Sequence, residues 1–282
     1  MRLALLFLLT LCCLPSLARA GIVDAPAPNI EVSLLTYGPG DIYWERFGHD
    51  ALEVRDTVSG EAIAFNYGVF DFDQDGFILN FARGIMAYRM DAETTASDVS
   101  FYKGEGRYVH RQVLALTDEQ KDALRQFLLW NIRPENAGYN YDYYLDNCTT
   151  RVRDALDSAL HGALDRQWRT QAGGMTYREQ TARLMSNQAW LMLGMDLGLG
   201  PFADQPMTAW RDAFLPMELE ALVRKTQVDG KPLVLREENL ADATLEPPPE
   251  QAPDLRWPLL GAGIVLAIPL ALPALTRRRG AR

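Results

Sequence analysis

The sequence predicts an α+β protein. It should hold an antiparallel sheet, a helix that carries Cys148, a helical extension and one apolar C-terminal helix. Three observations give this reading. Short segments of alternating polarity, separated by glycine- and proline-bearing turns, fill much of residues 30–116. Capped segments with helical periodicity open at Thr117 and just ahead of Cys148. An uncharged run from Trp257 to Leu275 closes the chain before Arg277, Arg278, Arg279 and Arg282.

The elements follow in order. Residues 21–29 form an extended lead-in, and Ile30 to Thr36 alternates as a strand until Gly38-Pro39-Gly40 stops it. Asp41 to Asp50 is a polar-aromatic turn. Ala51 to Arg55 and Ala62 to Tyr67 pair across the Ser59-Gly60 turn, which brings His49 and Asn66 to neighbouring strands. Phe77 to Phe81 suggests a short helix, Ala87 to Met90 a short strand and Arg107 to Leu116 another strand. Thr117-Asp-Glu-Gln120 opens a helix with a capping box and runs to about Asn131. Pro134 to Gly138 is a loop. Asp146 or Asn147 caps the helix of Cys148, whose buried face is Val152, Ala155, Leu156 and Ala159. Tyr177 to Leu193 and Glu218 to Lys225 are helical.

The resulting division is a leader at 1–20, a catalytic unit at 28–165 and a helical extension of it at 166–235. An acidic, proline-rich linker at 236–256, a transmembrane helix at 257–276 and a basic cytoplasmic tail at 277–282 complete it.

The two ends set the compartment. Arg2, the apolar run Leu3 to Leu14 and Ala18-Arg19-Ala20 form a secretory leader that takes Cys12 and Cys13 with it. One thiol then remains in an oxidising compartment with no partner in its own chain. At about 1.5 Å per residue the nineteen residues from Trp257 reach about 28 Å, enough to span a hydrocarbon core. The arginines that follow keep the C-terminus cytoplasmic, so the bulk of the chain faces the periplasm from a single-pass inner-membrane anchor. All 37 acidic residues lie in 21–256. Setting aside Arg2, Arg19 and the four tail arginines leaves 22 basic ones there, a net charge of −15. Such a surface disfavours nucleic acid and long-range capture by anionic lipid.

Chemistry centres on Cys148. A thiol in the first turn of a helix meets the positive end of the backbone dipole and unpaired N–H donors, which favour thiolate. The flanking Asp146, Asn147, Thr149, Thr150 and Arg151 are unlike the apolar surroundings of a structural cysteine. A thiol nucleophile needs a base and a group that orients the base. Of three histidines, His49 follows Phe47-Gly48 and opens a strand, which suits a fixed imidazole. His110 reads as a structural or surface residue, and His161 as a residue at the end of the cysteine helix. Asn66, Glu53 and Asp50 are each candidates to orient His49, and Asn66 on the adjacent strand is preferred. The tyrosine cluster 139–144, with Tyr141, Tyr143 and Tyr144 as the candidates named, is placed to wall a substrate path, or else packs as core. No phosphate loop, His-Glu-x-x-His or Cys-x-x-Cys is present, and no metal or cofactor is expected. Asp71, Asp73 and Asp75 alternate as calcium ligands do, but lack the glutamate that completes such a loop, so they read as a solvated turn.

Trp44-Glu-Arg-Phe-Gly-His49, Phe65-Asn-Tyr-Gly-Val-Phe70, Pro134-Glu-Asn136, Tyr141 to Asp154 and Gly200-Pro-Phe-Ala-Asp204 together resemble the Lnb N-terminal periplasmic domain family across residues 30–235. That family is similar to circularly permuted NlpC-type papain-like folds and to the lecithin:retinol acyltransferase group, in which histidine precedes cysteine. The resemblance implies Cys148 as nucleophile, His49 as base and Asn66 as the polar residue that holds it. Lnb is named as a bacterial lipoprotein N-acyltransferase, so the resemblance also implies acyl transfer from phospholipid to an amine such as a lipoprotein N-terminus. The single C-terminal span is shorter than the membrane part of a full Lnb protein, and the acceptor is left open. Two other readings use the same features: a cysteine peptidase or amidase on cell-wall peptide, and a catalytically silent, membrane-anchored binding module. Neither the acyl donor nor the oligomeric state is legible.

Overall fold

The computed structural model describes residues 21–70, 80 and 86–279, the side chains of Arg256 and 270–279 excepted. The leader, most of Phe77 to Phe81 and the run Asp71, Asp73 and Asp75 lie outside the described residues.

Alternation becomes pairing in β1 (Ile30–Tyr37), β2 (His49–Asp56) and β3 (Ala62–Phe70). The chain continues through β4 (Ala87–Thr94), α1 (Thr95–Gly104), β5 (Val109–Leu114), α2 (Asp118–Asn131) and β6 (Gly138–Asn140). Then come α3 (Cys148–Ala159), α4 (Tyr177–Leu184), α5 (Ala189–Gly198), α6 (Pro216–Lys225), β7 (Val234–Ala241) and α7 (Arg256–Arg279). The strands form one sheet in the order β6-β4-β3-β2-β1-β5-β7, with every neighbouring pair antiparallel. The α+β class with an antiparallel sheet is therefore the observed one.

Successive strand residues point to opposite faces, and here both faces are covered. Val32, Leu34, Leu52, Val54, Phe65 and Tyr67 face Leu124 and Leu128 of α2 and Val152 and Leu156 of α3 in the main core. Leu128 and Leu156 are fully buried, each worth about 2 kcal/mol in apolar area removed from water. Leu35, Tyr37, Ala51 and Ala64 face the other way, onto Val99 and Tyr102 of α1. The sheet is thus a wall between α3 and α1.

Several expectations change. The helix α1 was not expected, and β4 runs four residues beyond Met90 into its cap at Thr94. Pro134–Ala137 is a helical turn where a loop was expected. The single helix expected from Tyr177 to Leu193 is two, broken at Met185 to Gln188. Arg46 Nε donates to the Leu184 carbonyl at 2.9 Å, drawing off an acceptor at the point where α4 stops. The extension packs as a second core of Phe47, Tyr177, Leu184, Met192 and Phe214.

The linker is not a free spacer. Residues 236–241 belong to β7, which covers the β5 edge and presents Arg236, Glu237 and Glu238 along the sheet's margin. Beyond it, Thr244 N–H donates to the Gly106 carbonyl at 2.8 Å and Arg183 Nη1 to the Pro249 carbonyl at 3.3 Å, while Leu255 packs on the second core. Helix α7 covers the apolar run expected at 257–276. Among the described residues, whose side chains in α7 end at Pro269, no helix is long and apolar enough to cross a membrane.

Asn147 ties the cysteine helix to both cores. Its Oδ1 accepts from Thr150 N–H at 2.8 Å, and its Nδ2 donates to the Tyr143 and Phe214 carbonyls, each at 3.0 Å. Losing the cap costs about 0.5–2 kcal/mol, and each buried carbonyl left without a donor adds about 1–3 kcal/mol. Asn147→Ala is therefore expected to lower stability by about 3 kcal/mol, read from urea unfolding. Asp146→Ala, which loses only a half-exposed ion pair to Arg151, should cost less than 1 kcal/mol or so.

Candidate active site

Strand register builds one side of the site. His49, opposite Tyr37, and Asn66, opposite Ala51, share the sheet face covered by α1. His49 Nε2 lies 3.0 Å from Asn66 Oδ1. Asn66 Nδ2 donates to Asp98 Oδ2 at 2.7 Å, and the Tyr37 hydroxyl donates to the same oxygen at 3.0 Å. An oxygen that takes two donors must be an acceptor, so the amide nitrogen of Asn66 faces Asp98 and its oxygen faces the imidazole. That assigns the proton to Nε2 and leaves the lone pair on Nδ1. The ring also stacks with Tyr37 and Tyr102, at centroid distances of 5.6 and 6.0 Å. Although part of the His49 residue meets solvent, burial is the main influence on its imidazole and lowers its pKa. Arg107 adds to the lowering, and the Asn66 contact opposes it.

Cys148 comes from the other face. Helix α3 begins at the cysteine because Asn147 and Thr150 form a reciprocal capping box, Thr150 Oγ1 accepting from Asn147 N–H at 2.8 Å. The cysteine lies against β3 where that strand carries a bulge between Asn66 and Val69. Gly68 sits in that bulge at φ +90°, a conformation open to glycine at little cost. A Cβ there would stand 3.4 Å from Cys148 Cβ. The backbone N–H of Asp50, the residue that follows His49, points at the sulfur, as do those of Thr149 and Cys148 itself. Thr149 Oγ1 lies 3.8 Å away. Burial nevertheless dominates and raises the thiol pKa. No hydrogen bond joins the sulfur to the His49 ring. The structure thus brings His49 and Asn66 into contact and places Cys148 against the peptide that leaves His49, with thiol and imidazole both neutral at rest.

The remaining candidates separate. Glu53 is fully buried and held by Arg111 at 2.8 Å and Arg55 at 3.1 Å, so it does not orient His49. Asp50 points to the α3 face. Its side chain lies beside the Thr36 and Thr149 hydroxyls without a well-aligned bond, and burial with the nearby thiol raises its pKa far above the carboxylate range. His110 Nδ1 meets Glu220 at 3.1 Å, as befits a structural residue. His161 occupies the turn after α3 at φ +54°. Tyr141 and Tyr143 pack ring to ring at 5.7 Å and lie near the thiol, whose charge would raise both phenols beyond what burial does. Tyr144 belongs to the second core, bonded to Thr181 at 2.9 Å and packed on Tyr177 and Phe214.

Asp98 and Tyr102 were missed, and Tyr139 was named only as part of the 139–144 cluster. The first two sit on α1, whose only sequence signal was Thr94 as a cap, its Oγ1 accepting from Ser97 N–H. The Tyr139 hydroxyl is buried without a partner, 3.9 Å from where a Gly68 Cβ would be.

Fold and geometry together define an α+β domain with a helix-borne thiol beside the backbone of Asp50 and, one residue earlier in the chain, a strand-borne histidine held by an amide. The chain belongs to the Lnb N-terminal periplasmic domain family, whose model matches residues 20–185. The domain is accordingly periplasmic. The match stops short of residue 235, so the Gly200 to Asp204 block lies outside it. No curated protein and no solved structure matches the chain.

The buried acid gives a prediction with a definite sign. Asp50 holds its proton in the fold at a pH where the unfolded chain has released it, so stability falls as pH rises from the unfolded carboxylate pKa of about 3.9 towards the folded value. Asp50→Asn removes that dependence. It should be more stable than the parent at neutral pH and show little difference near about pH 3, by urea unfolding at both.

Proposed function

We propose that the protein is a membrane-tethered periplasmic thiol acyltransferase or acyl hydrolase with Cys148 as nucleophile, His49 as base and Asn66 as the residue that positions His49. The observation that carries this reading is the chain Asp98–Asn66–His49, which leaves Nδ1 free to accept a proton in the residue next to Asp50, whose backbone lies beside the Cys148 thiol. The order of histidine before cysteine, that of the permuted papain-like folds the chain resembles, supports it. So does the family's name, taken from a lipoprotein N-acyltransferase.

In the forward step His49 Nδ1 takes the Cys148 proton as sulfur bonds to the ester carbonyl carbon of a phospholipid. The N–H groups of Cys148, Thr149 and Asp50 offer donors to the developing oxyanion. Collapse breaks the ester C–O bond, and the leaving alkoxide takes the proton back from His49. An amine, such as a lipoprotein N-terminus, then attacks the acyl-sulfur carbonyl and passes its proton to His49, and the sulfur leaves and is reprotonated. Water in place of the amine gives hydrolysis. Because neither group is charged at rest, proton transfer accompanies attack, and the thiol is quiet towards alkylating agents until substrate arrives. Closure of the imidazole onto the sulfur is expected at that stage, as catalytic contacts are often loose in an empty site. Helix α7, with its exposed Val265 and Leu266 and its arginine tail, is the proposed single-pass anchor in the inner membrane.

Incubation with radiolabelled phospholipid, and separately with wall peptides, tests the reaction. An acyl adduct on Cys148 by mass spectrometry is expected with lipid. Peptide cleavage without any adduct would assign a peptidase instead, and no reaction with either would leave a binding module. Cys148→Ala should abolish the adduct, and His49→Ala should slow its formation by about 10²–10⁴-fold.

Tyr139→Phe separates catalysis from structure at the same site. The hydroxyl has no partner to lose, so stability should not fall. Acyl-enzyme formation should slow if that hydroxyl is a further oxyanion donor, and single-turnover rates read this directly.

A further inference from the structure

The turn between β1 and β2 holds three large side chains in water. Ile42, Tyr43 and Trp44 are 44%, 50% and 55% exposed. The loop does not expose them through looseness. Gly40 N–H donates to the Glu45 carbonyl at 2.9 Å, Glu45 N–H to the Ile42 carbonyl at 2.8 Å and Gly48 N–H to the Glu45 carbonyl at 2.9 Å. Arg46 donates to the Gly40 and Leu184 carbonyls at 3.0 and 2.9 Å and is itself buried. An internally bonded loop that presents tryptophan, tyrosine and isoleucine together has the composition of a membrane-interface contact.

Two features say what covers it. The segment leading to α7 runs beside the loop: residues 244–249 form one wall of a groove of about 530 Å³ whose other wall is Asp41, Arg46, Ser186 and Asn187. Leu255, one residue before α7, packs on the same second core as Phe47, so the apolar helix is rooted beside the loop. Trp257 is 75% exposed at that root. The second feature leads inward. Tyr43 lies close enough to Tyr143 to perturb it, Tyr143 packs on Phe47 at 5.2 Å and on Tyr141 at 5.7 Å, and Tyr141 lies beside Cys148. An aromatic path therefore joins the exposed loop to the thiol.

We propose that Ile42, Tyr43 and Trp44 dock the domain on the bilayer that holds α7, and that an acyl chain reaches Cys148 along the tyrosine path from that contact. The proposal rests on the membrane-anchored reading of α7. Asp41 is exposed, and burial raises the Glu45 carboxyl while Arg46 is spent on backbone carbonyls. The contact is thus apolar insertion into a zwitterionic surface, independent of anionic lipid and of salt.

Nitroxide depth measurements on the whole chain in phosphatidylcholine vesicles test this. Cys12, Cys13 and Cys148 are replaced by serine, and single labels are placed through Trp44→Cys, Val58→Cys and Leu266→Cys. Val58 is exposed in the hairpin at the far end of β2 and serves as the aqueous control. The ratio of collisions with oxygen to collisions with a water-soluble nickel chelate should be several-fold higher at 44 than at 58, and unchanged in high salt. Tyr43→Cys gives the same reading should the first variant not fold. If position 44 matches 58 while 266 lies in lipid, the anchor stands and the docking surface is overturned. If 266 also matches 58, the anchored reading falls and the docking surface with it.

Discussion

The Asp98 carboxylate decides the chemistry available to His49, although it never touches the ring. One oxygen takes both the Asn66 amide and the Tyr37 hydroxyl. A flipped amide would set oxygen against oxygen in a buried place, so one orientation of Asn66 survives, and with it one tautomer of His49. Burial then keeps the imidazole neutral. A base needs its lone pair on the correct nitrogen and unprotonated at working pH, and this arrangement supplies both through a neutral amide that touches the ring nitrogen.

The thiol side depends on backbone more than on charge. Asn147 starts α3 at Cys148 and fastens that start to two carbonyls from other parts of the chain. Gly68 lets β3 bulge beside the sulfur without a side chain in the way. The peptide between His49 and Asp50 is common to both halves: its carbon side carries the base, and its N–H faces the sulfur. Asp50 next to it shows what this closeness costs. A carboxyl whose pKa is raised by burial and the nearby thiol is stored inside the fold, against the main core.

Much of this was legible. The capping box at Thr117, a cap just ahead of Cys148, the three strands between Ile30 and Tyr67 and the placing of His49 and Asn66 on neighbouring strands all followed from local pattern, because turn chemistry and alternation act over a few residues. The helix α1 did not follow. Its residues Thr95 to Gly104 mix polar and aromatic side chains without an apolar stripe, since one face must carry both Asp98 to a polar partner and Tyr102 to a ring stack. Strand β7 was hidden because an edge strand carries charge, and Arg236, Glu237 and Glu238 read as linker. The break between α4 and α5 has no proline or glycine to mark it, and the Leu184 carbonyl at its start accepts from Arg46, far away in sequence. The packing of Tyr144 on Tyr177 and Phe214 was not legible, because both partners lie far along the chain.

The tautomer of His49 is the most direct test of the central claim. Long-range ¹⁵N–¹H correlation spectra of the chain labelled in histidine nitrogen distinguish a protonated nitrogen from a bare one in the neutral ring. At neutral pH His49 should appear uncharged, with its proton on Nε2 and a bare Nδ1. A charged ring, or a neutral one with the proton on Nδ1, would contradict the account.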